Sequence, residues 1–466
     1  MSVWRLLTRR TGSSGFGLRN HFDHGTENSP CRPVLWGSAG RGRTVDGMDF
    51  TIPSDIKALL EECDTFIDDV IKPIEAEDDN IRFFDHRRED ARTDWERDGL
   101  PNAEWEALLA RMRAEADAAG LLRYQLPSRF GGRDGSNLAM AIVREHLARR
   151  GLGLHNDLQN ESSIIGNFPT VLMMEQYGSP AQQEEWIPKM LAGEARIGFG
   201  LTEPLHGSDA TWMETTALRD GDEWVINGEK YWNTGLHHAT HDFIFARTSG
   251  NPGEGHGITC FIVPVDTPGF GVEEFMWTFN MPTDHAHVRL CDVRVAHADI
   301  LGEEGRGLQT AQLFVHENRI RQAASSVGAG LHCIDLAVEH VTNRTVFGKP
   351  LAANQAIQFP LAELYTDAEM IRALIWKTAW EMDEGVDHLE ITDKVAMCNY
   401  RGNRFCCDAA DQAMQACGGY GYGRKYPFEH IYRHHRRYRI TEGTEEIQIR
   451  KVAGKLFGFA GRAKTG

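Results

Sequence analysis

Apolar and polar positions alternate along the chain with two different periods, which predict helices at both ends and strands between them. Within residues 53–195, apolar residues recur at steps of three and four, the spacing of one face of a helix. Residues 102–119 and 136–150 are clear examples. Ser179 followed by Pro180 is typical of a capped helix start, so a further helix is predicted there.

The residue composition changes near Ile197, and from there to about Gly307 it favours strands. This stretch is rich in Val, Ile, Thr, Phe and Trp, broken by Gly and Asp. Residues 259–265 and 287–295 predict strands. Asn227-Gly228, between two short alternating runs, predicts a hairpin with a type I′ turn. The middle of the chain is therefore expected to form a compact β domain.

Long helical patterns return after Gly307, at residues 308–343, 351–383 and 389–417. Long helices joined by short loops favour a bundle. We therefore predict a mainly α protein with a β domain in its middle. The predicted boundaries are 1–47 for an N-terminal extension, 48–195 for a helical domain, 196–306 for the β domain and 307–466 for the bundle.

The charge of the 466-residue chain is uneven, with a basic start and an acidic remainder. Lys and Arg number 50 against 67 Asp and Glu, a net charge of −17, yet residues 1–47 hold seven Arg and three acidic residues. Such a start is typical of a mitochondrial transit peptide, or it is a stretch upstream of the true start at Met48. The predicted location is the mitochondrial matrix if it is a transit peptide, and the cytoplasm if the protein is bacterial.

Composition and missing motifs exclude several classes of protein. No apolar run is long enough to span a membrane, and so acidic a body is a poor binder of nucleic acid. The sequence contains no G-x-G-x-x-G, P-loop, H-E-x-x-H or G-x-S-x-G motif. Its nine Cys include no C-x-x-C pair, which fits a reducing compartment. The spacing of His237, His238 and His241 fits no particular set of metal ligands, so no metal is predicted.

Glu442 and Gly443 stand directly before a helix start predicted from Thr444. A carboxylate on such a turn can project into a cavity, where burial raises its pKa and suits it to act as a base. The same spacing also fits a solvated carboxylate that pairs with an arginine of the segment 436–439. The residues alone leave both possibilities open.

Four segments taken together point to a family. They are GFGLTEPLHGSDA at 198–210, INGEKYWNTG at 226–235, NRTVFGKPLAANQAIQFPLAEL at 343–364, and the block from QACGGYGYG to KVAGKL at 415–456. The glycine-rich start of the last block predicts a flexible loop. In this order and spacing they resemble the acyl-CoA dehydrogenases, and the resemblance extends from Asp55 to Phe457. It implies an N-terminal helical domain, a middle β domain and a C-terminal four-helix bundle.

The resemblance also implies a cofactor, FAD, and the residues of a site. Glu442 matches the catalytic base. Positions that match FAD contacts are Phe199, Leu201, Thr202, Ser208, Trp232, Thr234, Arg344, Phe347, Gln355, Gln415, Gly419, Thr444 and Glu446, and those from Arg344 to Gly419 reach the FAD of a neighbouring subunit. Positions that match substrate contacts are Ser208, Arg319, Thr441 and Gly443. A shared site implies a homo-oligomer, at least a dimer and usually a tetramer.

Some positions depart from the family pattern. Thr441 replaces a common Tyr, which implies a differently shaped acyl pocket, and Glu446 replaces a common Gln near a phosphate. Val346 replaces a Thr, which implies one hydrogen bond fewer to FAD. Some branches carry the base on the first bundle helix, where this chain has Asn318 with Glu317 one step away. Glu442 is therefore favoured as the base.

The implied reaction is α,β-dehydrogenation of an acyl-CoA thioester to the trans-2-enoyl-CoA. Glu442 would take the α-proton, the β-hydrogen would leave as hydride to flavin N5, and electrons would pass to an electron-transfer flavoprotein. An acyl-CoA oxidase shares these motifs and reduces oxygen. A flavin monooxygenase of the same fold, which does not need Glu442, and a DNA-associated flavoprotein without this activity are further alternatives. The acidic body argues against the DNA-associated one.

Overall fold

The structure, a computed structural model, describes residues 51–156, 162–279 and 282–459. The predicted extension 1–47 lies outside these ranges. By its internal contacts, the chain from Ile52 onward forms one unit. Among the described residues, no helix is both long and apolar enough to cross a membrane.

The described N-terminal part contains six α-helices, and polar caps set where some of them begin. They are α1 (Ser54–Phe66), α2 (Lys72–Ala76), α3 (Ala103–Ala118), α4 (Asn137–Arg149), α5 (Pro169–Tyr177) and α6 (Pro180–Leu191). Asn102 caps α3, and Ser179 forms with Gln182 the capping box that starts α6, as predicted. Helices α1, α3 and α4 bury a common core that includes Trp105 and Met112.

The middle of the chain is an eight-stranded sheet. Its strands are β3 (Ile197–Gly200), β4 (Thr216–Asp220), β5 (Glu223–Thr234), β6 (His241–Arg247), β7 (Ile258–Pro264), β8 (Phe270–Phe275), β9 (His285–Ala296) and β10 (Ile300–Leu301), while β1 (Thr93–Asp94) and β2 (Leu100–Pro101) pair separately. The strand order is β10-β7-β6-β4-β5-β9-β8, with β3 beside β6. Alternate side chains of β6 face two different cores: Phe243 and Phe245 pack towards α5 and α6, and Ile244 and Ala246 pack on the other side.

The predicted hairpin at Asn227-Gly228 is wrong, because strand β5 runs straight through these residues. The turn between β4 and β5 lies at residues 221–222. Gly228 instead marks a shift in the register between β5 and β9. A Cβ there would lie 2.7 Å from Cα of Thr215, so the glycine serves a close approach of two backbones.

The C-terminal part is a bundle of long helices. They are α7 (Gly307–Asn343), α8 (Gln355–Asp383), α9 (His388–Cys417), α10 (Gly419–Tyr422), α11 (Phe428–Tyr438) and α12 (Glu445–Leu456), with a small hairpin of β11 (Thr345–Val346) and β12 (Lys349–Pro350) after α7. Helix α7 packs against α4, α8 and α9. The glycine-rich segment predicted as a flexible loop contains the helical turn α10. The predicted fold class is confirmed, whereas the exact domain boundaries stay a prediction.

We expect Gly228→Ala to destabilise the protein, since the added methyl group meets backbone atoms that cannot move aside. The cost of such overpacking is about 1–3 kcal/mol. Gly221→Ala is the matched control, because Gly221 also has a positive φ, +66°, but open space around it. Apparent melting temperatures of the two variants check this. A Gly228→Ala protein as stable as Gly221→Ala would contradict the close approach.

Candidate active site

Glu442 lies on the tight turn between α11 and α12, in a left-handed backbone conformation. Its φ is 58°, and that of Gly443 is 93°. The carbonyl oxygen of Glu442 accepts hydrogen bonds from Nε and Nη2 of Arg319, at 3.1 and 2.5 Å, and from Nε2 of Gln448 at 2.9 Å. Arg319 comes from α7 and Gln448 from α12. Donors from two helices therefore fix the turn and the direction of the side chain that it carries.

The carboxylate of Glu442 is half-buried and meets α7. Nδ2 of Asn318 donates a hydrogen bond to Oε1 of Glu442 at 3.2 Å. Asn318 is buried, and its own oxygen accepts from Nη2 of Arg321 at 2.7 Å and from Nδ2 of Asn167 at 3.4 Å. These contacts orient the amide, and the amide orients the carboxylate. Asn318, at the position where the resemblance places an alternative base, thus holds the carboxylate of Glu442.

Burial lowers the pKa of Arg319 to about 10, while the nearby charge of Glu442 works to raise it. Of the arginines 436–439 that could pair with Glu442, Arg439 binds a different carboxylate. Nε of Arg439 donates to Oε2 of Glu445 at 3.0 Å, and Nη2 of Arg404 donates to Oε1 of Glu445 at 2.9 Å. Glu445 is the first residue of α12, so this ion pair anchors the helix that follows the turn.

The remaining predicted residues around the turn have distinct places. Thr444 caps α12, its Oγ1 accepting from the backbone N–H of Ile447 at 3.5 Å. Glu446 is exposed on that helix. The Oγ1 of Thr441 is buried without a hydrogen-bond partner among the described residues, so a ligand there would find an unused donor and acceptor.

The predicted residues of the middle domain line the edge formed by β3 and the end of β5. Phe199 lies on β3, and its ring stacks on Phe314 of α7 at 4.3 Å. Leu201 and Thr202 follow β3, and the carbonyl oxygen of Thr202 accepts from the N–H of Tyr231 at 2.9 Å. Phe314 precedes Asn318 by about one helical turn, so this edge of the sheet and the Glu442 turn meet at the same part of α7.

Trp232 is held in an uncommon conformation with its indole exposed. Its φ is 67°, which is costly for a bulky residue, and 48% of its surface is accessible. The next residue, Asn233, is fully buried, and its side-chain amide donates to the carboxylate of Asp242. The buried amide anchors the strand and leaves Trp232 and Thr234 facing outward. Ser208 lies in an exposed loop after β3.

A buried ion pair anchors strand β5 on its buried side. Nζ of Lys230 donates to Oε1 of Glu203 at 2.9 Å, and both side chains are almost completely buried. The same carboxylate accepts the backbone N–H groups of Glu214 and Thr215 at 2.7 and 2.8 Å. Burial lowers the pKa of Lys230 to about 8, against the attraction of Glu203.

Five predicted cofactor residues lie far from Glu442 within one chain. Arg344 caps the end of α7, and 25 residues of helix place it roughly 37 Å from Arg319. Asn399 of α9 donates to the carbonyl oxygen of Arg319 at 3.2 Å, so Gln415 at the end of α9 is distant as well. The guanidinium of Arg344 lies 5.4 Å from the ring of Tyr420, next to Gly419. Phe347 and Gln355, in the hairpin and at the start of α8, are exposed at this same end.

The histidine cluster is a hydrogen-bonded pair near Glu106 of α3. Nδ1 of His238 lies 2.7 Å from Nε2 of His237, and the oxygens of Glu106 lie 3.7 and 4.0 Å from these nitrogens. Two nitrogens bound tetrahedrally to one zinc ion stand farther apart, roughly 3.3 Å. His241 packs edge-on against Trp186 instead. The spacing favours a hydrogen bond, and the absence of a metal site stays a prediction.

Comparisons with known families match the whole described architecture. The N-terminal domain of acyl-CoA dehydrogenases matches residues 53–194, their middle domain residues 198–293, and their C-terminal domain residues 305–457. The chain belongs to the acyl-CoA dehydrogenase family. The resemblance inferred from the four motifs is thereby confirmed, and the protein is an oxidoreductase of the acyl-CoA dehydrogenase type.

Individual relatives cover most of the chain. The human mitochondrial short-chain specific acyl-CoA dehydrogenase is 30% identical over 432 residues, 92% of this chain and 96% of that protein. The 3-(aryl)acrylate reductase of Clostridium sporogenes is 34% identical over 341 residues, 72% of this chain and 87% of that protein. A structure of glutaryl-coenzyme A dehydrogenase with glutaryl-CoA has a TM-score of 0.71 at 27% identity, and the match covers 89% of this chain and 98% of that one.

Three contacts of the candidate site were not predicted from the sequence: the hydrogen bond from Asn318, the Lys230–Glu203 pair and the Asn233–Asp242 contact. Glu203 stands inside the LTEP motif and Lys230 inside GEKYW. Both charged residues stand in segments whose pattern predicts burial. Because a charged side chain is rarely buried unless it is paired, their positions could have indicated a buried ion pair.

We expect Glu203→Gln to destabilise the protein by about 3–5 kcal/mol, because the buried ammonium of Lys230 loses its charged partner. Glu185→Gln serves as the control. Glu185 pairs with Lys189 at 2.9 Å on the surface of α6, where the loss should stay below about 1 kcal/mol. Thermal unfolding of both variants measures the difference. Equal effects would show that the buried pair does not anchor β5.

Proposed function

We propose that the protein binds FAD and oxidises an acyl-CoA thioester to its trans-2-enoyl-CoA, with Glu442 as the base that removes the α-proton. The observation that carries this proposal is the geometry of Glu442. Its backbone is held by Arg319 and Gln448, and its carboxylate is half-buried and oriented by Asn318. An ordinary surface glutamate needs none of these constraints.

The residues at the edge of the sheet fit a flavin. The exposed indole of Trp232 and the hydroxyl of Thr234 stand beside Phe199, Leu201 and Thr202, on a strand anchored from the buried side. An exposed aromatic side chain with φ of 67° is costly unless it serves a ligand. When bound, FAD supplies the acceptor for the hydride that leaves the β-carbon. Ser208, Thr444 and Glu446 are the further proposed contacts.

Glu442 and its neighbours perform the proton chemistry. An acyl chain that enters the site expels water from around the carboxylate, which raises the pKa of Glu442 and makes it a stronger base. The hydrogen bond from Asn318 holds Oε1 in place during proton transfer. The hydrogen bonds of Arg319 to Glu442 go to its backbone carbonyl oxygen, so they fix the turn that carries the carboxylate. The substrate contacts proposed here are Ser208, Arg319, Thr441 and Gly443.

A second copy of the chain would complete the cofactor site. Phe347 is completely exposed, on a turn where its φ is 49°. Arg344, Gln355, Gln415 and Gly419 lie at the same far end of the bundle. These residues cannot reach a flavin bound near Trp232 of their own chain. We therefore propose a homo-oligomer, a dimer or tetramer, in which this end contacts the FAD of a neighbour. An electron-transfer flavoprotein is the proposed acceptor of the electrons that the bound FAD would take from the substrate.

Glu442→Gln is expected to retain FAD but to react with acyl-CoA about 10²–10⁴-fold more slowly, because the amide cannot accept the α-proton. Anaerobic bleaching of the visible flavin band measures the rate. Glu185→Gln, which removes the surface pair with Lys189 on α6, is the control and should react like the wild type. Rapid bleaching of Glu442→Gln would assign the base elsewhere, to Glu317 first. Production of hydrogen peroxide at the turnover rate would identify an oxidase.

Phe347→Ala is expected to lower the affinity for FAD by about tenfold or more, the usual cost of removing a central aromatic contact from an interface. Leu218→Ala is the control, since Leu218 is also an exposed apolar residue, 67% accessible, but lies on β4. Flavin content per chain and the mass in solution are the measurements. Retention of FAD by monomeric protein would contradict the shared site.

A further inference from the structure

Asp242 is enclosed by the two strands that form the edge of the sheet proposed to hold the flavin. It lies on β6, and none of its surface is accessible. A Cβ at Gly198 would lie 2.8 Å from Oδ1 of Asp242, and a Cβ at Gly200 would lie 3.2 Å from its Oδ2. Both glycines belong to β3, which carries Phe199, and the side chain also contacts the end of β5. The carboxyl group therefore lies against the strands that carry Phe199 and Trp232.

The two oxygens of this carboxyl group differ in their contacts. Oδ2 accepts a hydrogen bond from the side-chain amide of Asn233. Oδ1 of Asp242 is buried and has no hydrogen-bond partner among the described residues, and the same holds for Oδ1 of Asn233. An ionised carboxylate only accepts hydrogen bonds, so a buried Oδ1 without a donor would bear the cost of its lost hydration. A proton on Oδ1 removes the charge and supplies a donor, for which the amide oxygen of Asn233 is an unused acceptor.

The charges around Asp242 leave it without a cation of its own. Within the described part of the chain, Lys230 of β5 is the cation whose charge acts on it, yet Nζ of Lys230 donates to Glu203 at 2.9 Å. The thiol of Cys260, on β7, also lies within reach of this charge, but burial raises its pKa and keeps it neutral. An ionised Asp242 would therefore be a second anion beside one buried cation, which the interior of a protein disfavours.

The proton affinity of Asp242 agrees with these contacts. Burial raises the pKa of Asp242 to about 7, although the hydrogen bond from Asn233, the charge of Lys230 and the backbone N–H of Phe243 work to lower it. The group therefore holds a proton at slightly acid pH and loses it as the pH rises above about 7. Asn233 directly follows Trp232, so a change at this carboxyl group reaches the indole through one side chain.

We propose that Asp242 is a positioning residue of the flavin site that acts in its protonated form: the neutral carboxyl group holds the amide of Asn233, and this contact keeps Trp232 turned towards the cofactor. The inference rests on the proposed function, since it assumes that FAD binds beside Trp232. Loss of the proton creates a buried anion that water or a shift of Lys230 has to stabilise, and either change loosens the end of β5. At high pH the binding of FAD must take up the proton again, so the affinity for FAD falls as the pH rises.

The first test measures the dissociation constant of FAD from the full-length holoenzyme at about pH 6 and about pH 9, on either side of the titration. We expect the wild type to bind FAD about tenfold or more weakly at the higher pH, since each pH unit above the pKa can cost up to tenfold. Asp242→Asn keeps a neutral acceptor for Asn233 and should lose most of this dependence. Asp242→Ala removes the acceptor and should bind FAD weakly at both pH values. Asp220→Asn, exposed on β4, is the control and should titrate like the wild type.

A measurement on the wild type keeps the test independent of how the variants fold. Infrared difference spectra of protein with ¹³C-labelled aspartate should show the band of a protonated carboxyl group at about pH 6 and its loss at about pH 9. The label separates this band from that of Glu317, whose pKa burial also raises to about 7.

Two results overturn the inference and leave the proposed function standing. One is the absence of a protonated aspartate band at the lower pH. The other is an Asp242→Asn protein that binds FAD with the pH dependence of the wild type, or no better than Asp242→Ala. A wild type that binds no FAD at either pH overturns both the inference and the proposed function.

Discussion

The position of Glu442 depends on a buried arginine that binds its backbone rather than its side chain. Arg319 directs two N–H groups at one carbonyl oxygen, and Gln448 adds a third donor. Three donors on one oxygen stabilise a turn in which Glu442, a residue with a Cβ atom, adopts a positive φ. The cation therefore binds the backbone of Glu442, and the neutral amide of Asn318 donates to its carboxylate. A neutral donor orients a carboxylate without adding a positive charge of its own, so it lowers the pKa less than a cation at the same distance would.

The sheet side of the site follows a similar principle, in which buried polar contacts maintain a strained segment at the surface. Asn233 and Lys230 point inward from β5 to Asp242 and Glu203, and Trp232 between them is turned outward. Since the two anchors lie on either side of Trp232, the strand cannot relax without breaking one of them. The buried contacts of Asn233 and Lys230 therefore offset the conformational strain of Trp232.

The sequence predicted those elements that depend on neighbouring residues. Helices α3, α4 and α6 follow from apolar spacing and caps, and the turn at Glu442 follows from the helix start at Thr444. The hairpin prediction at Asn227-Gly228 failed because the same dipeptide suits a bulge beside Thr215, and only the tertiary contact decides between them.

The parts of the candidate site that the sequence did not reveal join residues remote along the chain. Nothing local shows that Arg439 binds Glu445 while Asn318, more than a hundred positions earlier, binds Glu442. The enclosure of Asp242 likewise joins the separate strands β3, β5 and β6. The family resemblance pointed to Glu442 as the candidate base, but it could not supply these contacts, because they depend on side chains particular to this chain.

The length of helix α7 affects how the activity of an oligomer would depend on the combination of its subunits. The helix carries Asn318 and Arg319 near one end and is followed by Arg344 at the other, a distance that no side chain can bridge. If the Arg344 end contacts the cofactor of a neighbouring subunit, each chain contributes residues to two different active sites. A substitution of Phe347 in one chain would then inactivate the active site of the neighbouring chain, although Glu442 of that chain is unchanged. In a mixture of normal and altered subunits, the number of working sites would follow the pairing of chains rather than the count of normal ones.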